Sequence, residues 1–135
     1  MNLNFYKYKG TGNDFIIIDN RHNKINLNKE QVKNLCNRRF GIGADGLMLM
    51  GNKPAYDFEM IYYNADGNEG SMCGNGGRCM VKFAYDTGLH KPEYFFSAID
   101  GAHKATIENN GWIELNMINV DTVERASFSD FILHT

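Results

Sequence analysis

The sequence predicts an α+β domain in which an antiparallel or mixed sheet of about eight strands wraps a buried central helix, with a second, shorter helix beside it. Three observations predict it. Short apolar or alternating runs recur between turn residues along the chain, as strands require. Residues 74–86 keep a helical period yet are apolar nearly all round, so that helix must be enclosed by protein. Residues 28–39 carry the other helical pattern, and it has one apolar face. No internal repeat, low-complexity tract or linker divides residues 1–135, so they read as one unit.

Residues 3–9 alternate Leu3, Phe5 and Lys7 against Tyr6 and Tyr8, as a half-buried strand does. The turn Gly10-Thr11-Gly12-Asn13 leads into Phe15-Ile16-Ile17-Ile18, a continuous run typical of a strand buried on both faces, and Asp19-Asn20-Arg21 ends it. Asn28 is the expected N-cap of the first helix, with Gln31 three residues on, and Val32, Leu35, Cys36 and Phe40 share its apolar face. A glycine-dense turn over 40–46 runs into a strand over 47–50. Further strands are expected over 57–64, 94–97, 102–107, 112–117 and 131–133. The second helix starts at about Gly74, with Arg78, Lys82 and Asp86 as its charges on one stripe at i, i+4 and i+8. Thr87-Gly88 stops it, with Gly88 at C′ and Pro92 just beyond.

The bulk numbers exclude several classes. An apolar fraction of 43% and a charged fraction of 22% are ordinary for a globular domain. The formal charge of −2, from 14 basic and 16 acidic residues without a basic cluster, argues against nucleic acid or an anionic membrane as partner. No apolar run approaches the ~18 residues that cross a bilayer. Met1-Asn2-Leu3-Asn4 has neither a basic nor an apolar signal region, which points to the cytoplasm. Three cysteines, Cys36, Cys73 and Cys79, are an odd number without a CxxC, so they are no disulfide framework. His22, His90, His103 and His134 are scattered singly, and no metal site is expected.

The chemistry concentrates between Asn64 and Cys79. A strand ends at Asn64, a loop follows, and the buried helix opens with Gly74, Gly76 and Gly77. Each glycine costs that helix roughly 1 kcal/mol relative to alanine. In return the bare backbone lets a ligand reach the first N–H groups, which have no partner inside the helix. Those groups and the positive end of the macrodipole make an anion site, for phosphate or carboxylate. Cys73 decides between them. Placed directly before the helix, its thiolate is stabilised by the same field, and a thiol beside a bound carboxylate can take or give a proton at the α-carbon. Cys79 lies more than one turn inside the helix and reads as core, as does Cys36.

At these residues the chain resembles the diaminopimelate epimerase family. The resemblance rests on Lys9-Gly10-Thr11-Gly12-Asn13-Asp14-Phe15, on Arg38-Arg39-Phe40-Gly41-Ile42-Gly43-Ala44-Asp45-Gly46, and above all on Asn64-Ala65-Asp66-Gly67 with Met72-Cys73-Gly74-Asn75-Gly76. It covers nearly the whole chain and weakens over residues 120–129. It implies a protein of two similar halves facing across a cleft, each an antiparallel sheet around a central helix, of which residues 1–135 are the N-terminal half. It implies that Cys73 is one of two acid/base residues, that Asn13 and Asn64 bind polar groups of the substrate, and that the amides of Gly74 and Asn75 hold the reacting carboxylate. Some relatives have glutamine where this chain has Gly46. The implied reaction interconverts LL- and meso-2,6-diaminopimelate without a cofactor.

That reaction fits the physics of the segment. Inverting an amino acid takes a base on one face of the α-carbon and an acid on the other, and one side chain cannot reach both. No lysine-centred motif suggests a pyridoxal sink, so helix N-termini aimed at the carboxylate must stabilise the carbanion. The family's second cysteine lies in a segment like Gly-Cys-Gly-Thr-Gly, which residues 1–135 do not contain. The chain therefore reads as a truncated chain or a split gene product, inactive alone, whose partner is the missing C-terminal half. Apolar surface uncovered in this way makes a homodimer or aggregation a further expectation. Two other readings share the segment: another racemase or isomerase of the same superfamily, such as a proline racemase or a phenazine-type isomerase, and a non-catalytic anion-binding module. Asn64-Ala65-Asp66-Gly67 favours the diaminopimelate enzyme over the former. A thiol at position 73 that reacts far faster than those at 36 and 79 would exclude the latter.

Overall fold

A computed structural model describes residues 3–71, 74–116, 123–127 and 132–134. Among them the elements run β1 (Tyr6–Gly10), β2 (Asn13–Asp19), α1 (Lys29–Cys36), β3 (Gly46–Gly51), β4 (Phe58–Asn64), α2 (Gly74–Asp86), β5 (Glu93–Ala98), β6 (Gly101–Ile107), β7 (Trp112–Asn116), β8 (Val123–Ser127) and β9 (Ile132–His134). All the strands join one sheet in the order β8-β7-β6-β5-β4-β3-β2-β1-β9. The neighbours β2–β3 and β4–β5 are parallel and the rest antiparallel, so the sheet is mixed.

Each parallel pair is joined by a helical crossover, α1 between β2 and β3 and α2 between β4 and β5. Both crossovers step the same way across the sheet, but β4 is antiparallel to β3, so β2 and β4 point in opposite directions. Crossovers of one hand must then place the two helices on opposite faces. The core shows that they do. Ile16, Ile18, Leu47 and Leu49 pack with Val32 and Cys36 of α1, while Phe15, Ile17, Met48 and Met50 pack with Cys79, Met80 and Phe83 of α2. The continuous apolar runs of β2 and β3 are thus needed on both faces, alternate residues serving each helix.

α2 packs against β1, β2, β3 and β7. β1 and β7 stand six positions apart in the sheet. Laid flat, six strand spacings of about 4.8 Å would span roughly 29 Å, far more than a helix of about 10 Å diameter can bridge. The sheet therefore curls around α2, whose Cys79, Met80, Val81, Phe83 and Ala84 are all buried. The charged stripe is paired within the fold: Lys82 Nζ meets Asp86 Oδ1 at 2.6 Å, and the Tyr8 hydroxyl donates to Asp86 Oδ2. At the C-terminus Gly88, with φ +104°, lets Leu89 N donate to Ala84 O and Gly88 N to Tyr85 O, a complete Schellman motif.

Several expectations need correction. β1 begins at Tyr6 rather than Leu3, although Leu3 and Phe5 still pack on the α1 side and Tyr6 and Tyr8 on the α2 side. α1 is shorter than the expected 28–39. Asn28 does cap it, in a complete capping box with Gln31, but Asn37 ends it in extended backbone. The Asn37 side chain then takes the N–H groups of Arg39 and Phe40, and the chain folds back so that Ile42 and Gly43 donate to Leu35 O. Phe40 is consequently 82% exposed instead of sharing the apolar face, and Ile42 packs there in its place. β8 is an addition, since Val123-Glu124-Arg125-Ala126-Ser127 offers little apolar pattern to read. Met117 and Phe131, the limits of two expected strands, lie outside the described residues.

Candidate active site

Three motif segments meet at one end of the sheet because of its register. β1 ends where β2 begins, Gly10 opposite Asn13. β3 starts two residues into β2, Gly46 beside Phe15, and β4 ends there, Gly46 opposite Asn64. α2 starts at the same end, as the contacts of its first turn show. Asn75, in its first turn, donates from Nδ2 to Thr11 O at 2.9 Å and to Asn13 Oδ1 at 2.8 Å. Gly10 makes the approach feasible: a Cβ built on it would lie 3.3 Å from Cys79 Sγ and 3.7 Å from Asn75 O.

A chain of polar contacts continues from this junction. Arg78, only 7% exposed, donates from Nη2 to Asn75 Oδ1. Asn13 Nδ2 donates to Asp45 Oδ2 at 3.2 Å, and Arg38 Nη2 reaches Asp45 Oδ1 at 3.0 Å. Arg38 also grips both oxygens of Asp14, at 3.0 and 2.8 Å, and Lys7 Nζ donates to Asp14 Oδ2 at 2.7 Å. The Arg38 guanidinium, with Lys7 beside it, holds the Asp14 carboxyl well below the usual carboxylate range despite partial burial. Arg38 is correspondingly harder to deprotonate, chiefly through Asp14. Asp14, Arg38 and Asp45 stand in the motifs that carry the resemblance and Arg78 two residues beyond the last of them, yet none of the four was among the expected site residues. The signal available was opposite charge, Asp14 and Asp45 beside glycine-rich turns against Arg38 and Arg78 on helical patterns, and such a pattern does not say which charges pair.

Asn64 reaches the same end of the sheet but stands outside that chain of contacts. Its backbone closes a turn, N–H to Asn68 O and carbonyl from Gly67 N, both at 2.9 Å. Gly67 has φ +90°, and a Cβ there would sit 2.3 Å from Lys29 O, so this loop leans on the start of α1 through a position open to glycine alone. A Cβ on Gly70 would come 2.7 Å from Asn64 Nδ2, so the loop folds directly over the Asn64 side chain. Gly46 is filled from across the sheet, where a Cβ would lie 2.8 Å from Tyr62 Oη and 2.9 Å from Tyr63 O. A glutamine could not stand here without displacing both.

Cys73 lies outside the described residues. In sequence it directly precedes Gly74, the first residue of α2, whose first turn carries no acidic side chain to offset the positive end of the helix. Gly74 and Asn75 are half-buried, Gly76 and Gly77 buried. Cys36 and Cys79 are buried core residues. Burial, with the Asp14 charge adding to it, pushes the Cys36 thiol up to about 11, so it is a poor nucleophile. Among the described residues no group of three His, Cys, Asp or Glu side chains could hold a metal ion. A depression at the opposite end of β2 and β3, lined by Asn20, Arg21, Leu49, Gly51, Glu59 and Ile61, contains no motif residue.

The family model for diaminopimelate epimerase matches residues 5–123. The chain is 54% identical over 122 residues to a diaminopimelate epimerase from Flavobacterium psychrophilum, covering 90% of this chain and 48% of that protein. It is 48% identical over 111 residues to one from Chlorobaculum tepidum, covering 81% and 43%. The chain thus spans about half the length of the curated relatives it matches. Among solved structures, a phenazine biosynthesis protein of the PhzF family from Bacillus anthracis superposes with a TM-score of 0.66 at 19% identity, over 85% of this chain and 40% of that one. A hydroxyproline epimerase from Agrobacterium vitis, with bound trans-4-hydroxy-L-proline, superposes with a TM-score of 0.65 at 13% identity, over 84% and 41%. Likeness at such identities establishes the shared fold alone.

Proposed function

The chain belongs to the diaminopimelate epimerase family, and from that membership we propose that it is the N-terminal half of an enzyme interconverting LL- and meso-2,6-diaminopimelate. The product serves lysine and peptidoglycan-precursor biosynthesis in the cytoplasm. One observation carries the reading: Asn75 in the first turn of α2 bonds both Thr11 and Asn13, so two motif segments converge on the helix end that Cys73 precedes. No helix among the described residues is long and apolar enough to cross a membrane.

The chemistry follows from that placement. The Cys73 thiolate takes the α-proton, and the electron pair left on carbon delocalises onto the substrate carboxylate. The amides of Gly74 and Asn75 and the positive helix end stabilise the charge as it develops there. Asn13 and Asn64 bind polar groups of the substrate and hold it in register. A second acid, supplied by the C-terminal half, delivers a proton to the opposite face. The centre is then inverted, and the two acid/base groups have exchanged protonation states. No cofactor takes part in these steps.

The test is complementation. The chain is co-expressed with the C-terminal half of the Flavobacterium psychrophilum relative, and diaminopimelate is incubated with each preparation in D2O. Deuterium should enter the α-carbon with the paired halves and with neither alone, and Cys73→Ala in the pair should abolish it. Turnover that survives Cys73→Ala sinks the proposal.

A further inference from the structure

We propose that Arg78 and Asp45 are positioning residues that set the orientation of the two site asparagines through a one-directional relay of hydrogen bonds. The inference rests on the reading of Asn13 and Asn75 as substrate-binding residues and names what orients them. A carboxamide can turn over by 180°, exchanging its oxygen and nitrogen at little steric cost. Two linked carboxamides could therefore hold either of two senses, presenting a different pattern of donors and acceptors in each.

The ends of this pair remove the choice. A guanidinium only donates, and Arg78 lies against Asn75 Oδ1, so that atom must be the oxygen. Asn75 Nδ2 then faces Thr11 O at 2.9 Å and Asn13 Oδ1 at 2.8 Å, which uses both of its N–H bonds. Asn13 Nδ2 is thereby turned to Asp45 Oδ2, at 3.2 Å, and an ionised carboxylate only accepts. Every bond runs the same way, from Arg78 through Asn75 and Asn13 to Asp45. Each therefore polarises the next. Reversing either amide would set N–H against guanidinium or oxygen against carboxylate. Arg38, 3.0 Å from Asp45 Oδ1, holds the accepting end in place. The relay leaves the second N–H of Asn13 without a partner among the described residues, available to an oxygen of a ligand.

The experiment is hydrogen exchange of the side-chain amides, read by NMR on the chain labelled with 15N-asparagine. In the native chain the Asn75 Nδ2 protons should exchange at least about ten-fold more slowly than those of the exposed Asn109, since both Asn75 protons are hydrogen-bonded. Exchange as fast as Asn109 overturns the proposal before any variant is made. Arg78→Met should abolish the protection and Arg78→Lys should restore it, because lysine keeps a charged donor; an equal loss in both would reduce Arg78 to a packing role. Asp45 is exposed, so Asp45→Ala keeps the test sharp if Arg78→Met fails to fold. It should speed exchange and shift the resonances at Asn13 while leaving α2 backbone amides unmoved, and an unchanged Asn13 overturns the proposal. These readouts need no turnover. A protected relay in a chain whose paired form does not exchange diaminopimelate would sink the epimerase reading and leave the relay standing.

Discussion

Gly10 and Cys79 share one space: a side chain built on Gly10 would press its Cβ to 3.3 Å from the buried Cys79 Sγ. This close approach of β1 to the second turn of α2 seats the Gly10–Asn13 turn on the helix end. Gly10→Ala should therefore destabilise the chain by about 1–2 kcal/mol through overpacking, and Cys79→Ala by roughly 1 kcal/mol through a small cavity. Together they should cost clearly less than the sum, because the methyl enters the space the sulfur leaves. Urea unfolding of the four proteins completes the cycle. Strict additivity would show that the contact is not tight.

Asp14 makes stability depend on acid. Arg38 and Lys7 lower its pKa in the folded chain, so folding favours the ionised form. The stability it contributes is complete above the unfolded carboxylate value of about 3.9 and declines as pH falls below that value towards the depressed one. Asp14→Asn should cost about 1–2 kcal/mol at neutral pH, a modest figure because Arg38 is itself largely in water. The gap between native and variant should narrow as unfolding is measured from pH 5 downwards. A gap that widens with acid would contradict the assignment.

Thiol reactivity separates position 73 from the core. Cys36 is pushed up to about 11 by burial and should resist alkylation in the folded chain. Cys73, if activated by the end of α2, should show an alkylation midpoint below the free-thiol value of about 8.5. Gly76→Pro removes an N–H from the first turn and should raise that midpoint. Mass spectrometry after brief iodoacetamide treatment across pH reads all three thiols at once. A midpoint above the free-thiol value would end the case for Cys73 as the base.

Gly88 carries the Schellman stop at φ +104°, in open space. Its substitution therefore tests backbone strain without steric crowding. Gly88→Ala should cost about 1 kcal/mol, and Gly88→Asn less, since asparagine tolerates the left-handed region better. Thermal unfolding should rank the three proteins in that order. Equal stability of glycine and alanine would mean that the turn relaxes.

The sequence by itself determined the elements whose cause is local. The apolar run Phe15-Ile16-Ile17-Ile18 demanded cover on both faces, and α1 and α2 supply it. Asn28 with Gln31, and Thr87 with Gly88, marked a helix start and a helix stop because caps are built from neighbours in the chain. The glycines Gly74, Gly76 and Gly77 likewise marked where α2 begins. Phe40 shows where local reading fails. Helical spacing put it on the face of α1, but Asn37 captured the next two N–H groups and Ile42 took the apolar position, a competition the spacing does not encode. The tertiary structure alone decided that Asn75 meets Asn13 and that Arg38 joins Asp14 to Asp45. Asn75 and Asn13 lie 62 residues apart in the chain and Arg38 and Asp14 24, and the register of β1 to β4 and the crossover that sets α2 inside the curled sheet bring them within hydrogen-bond reach.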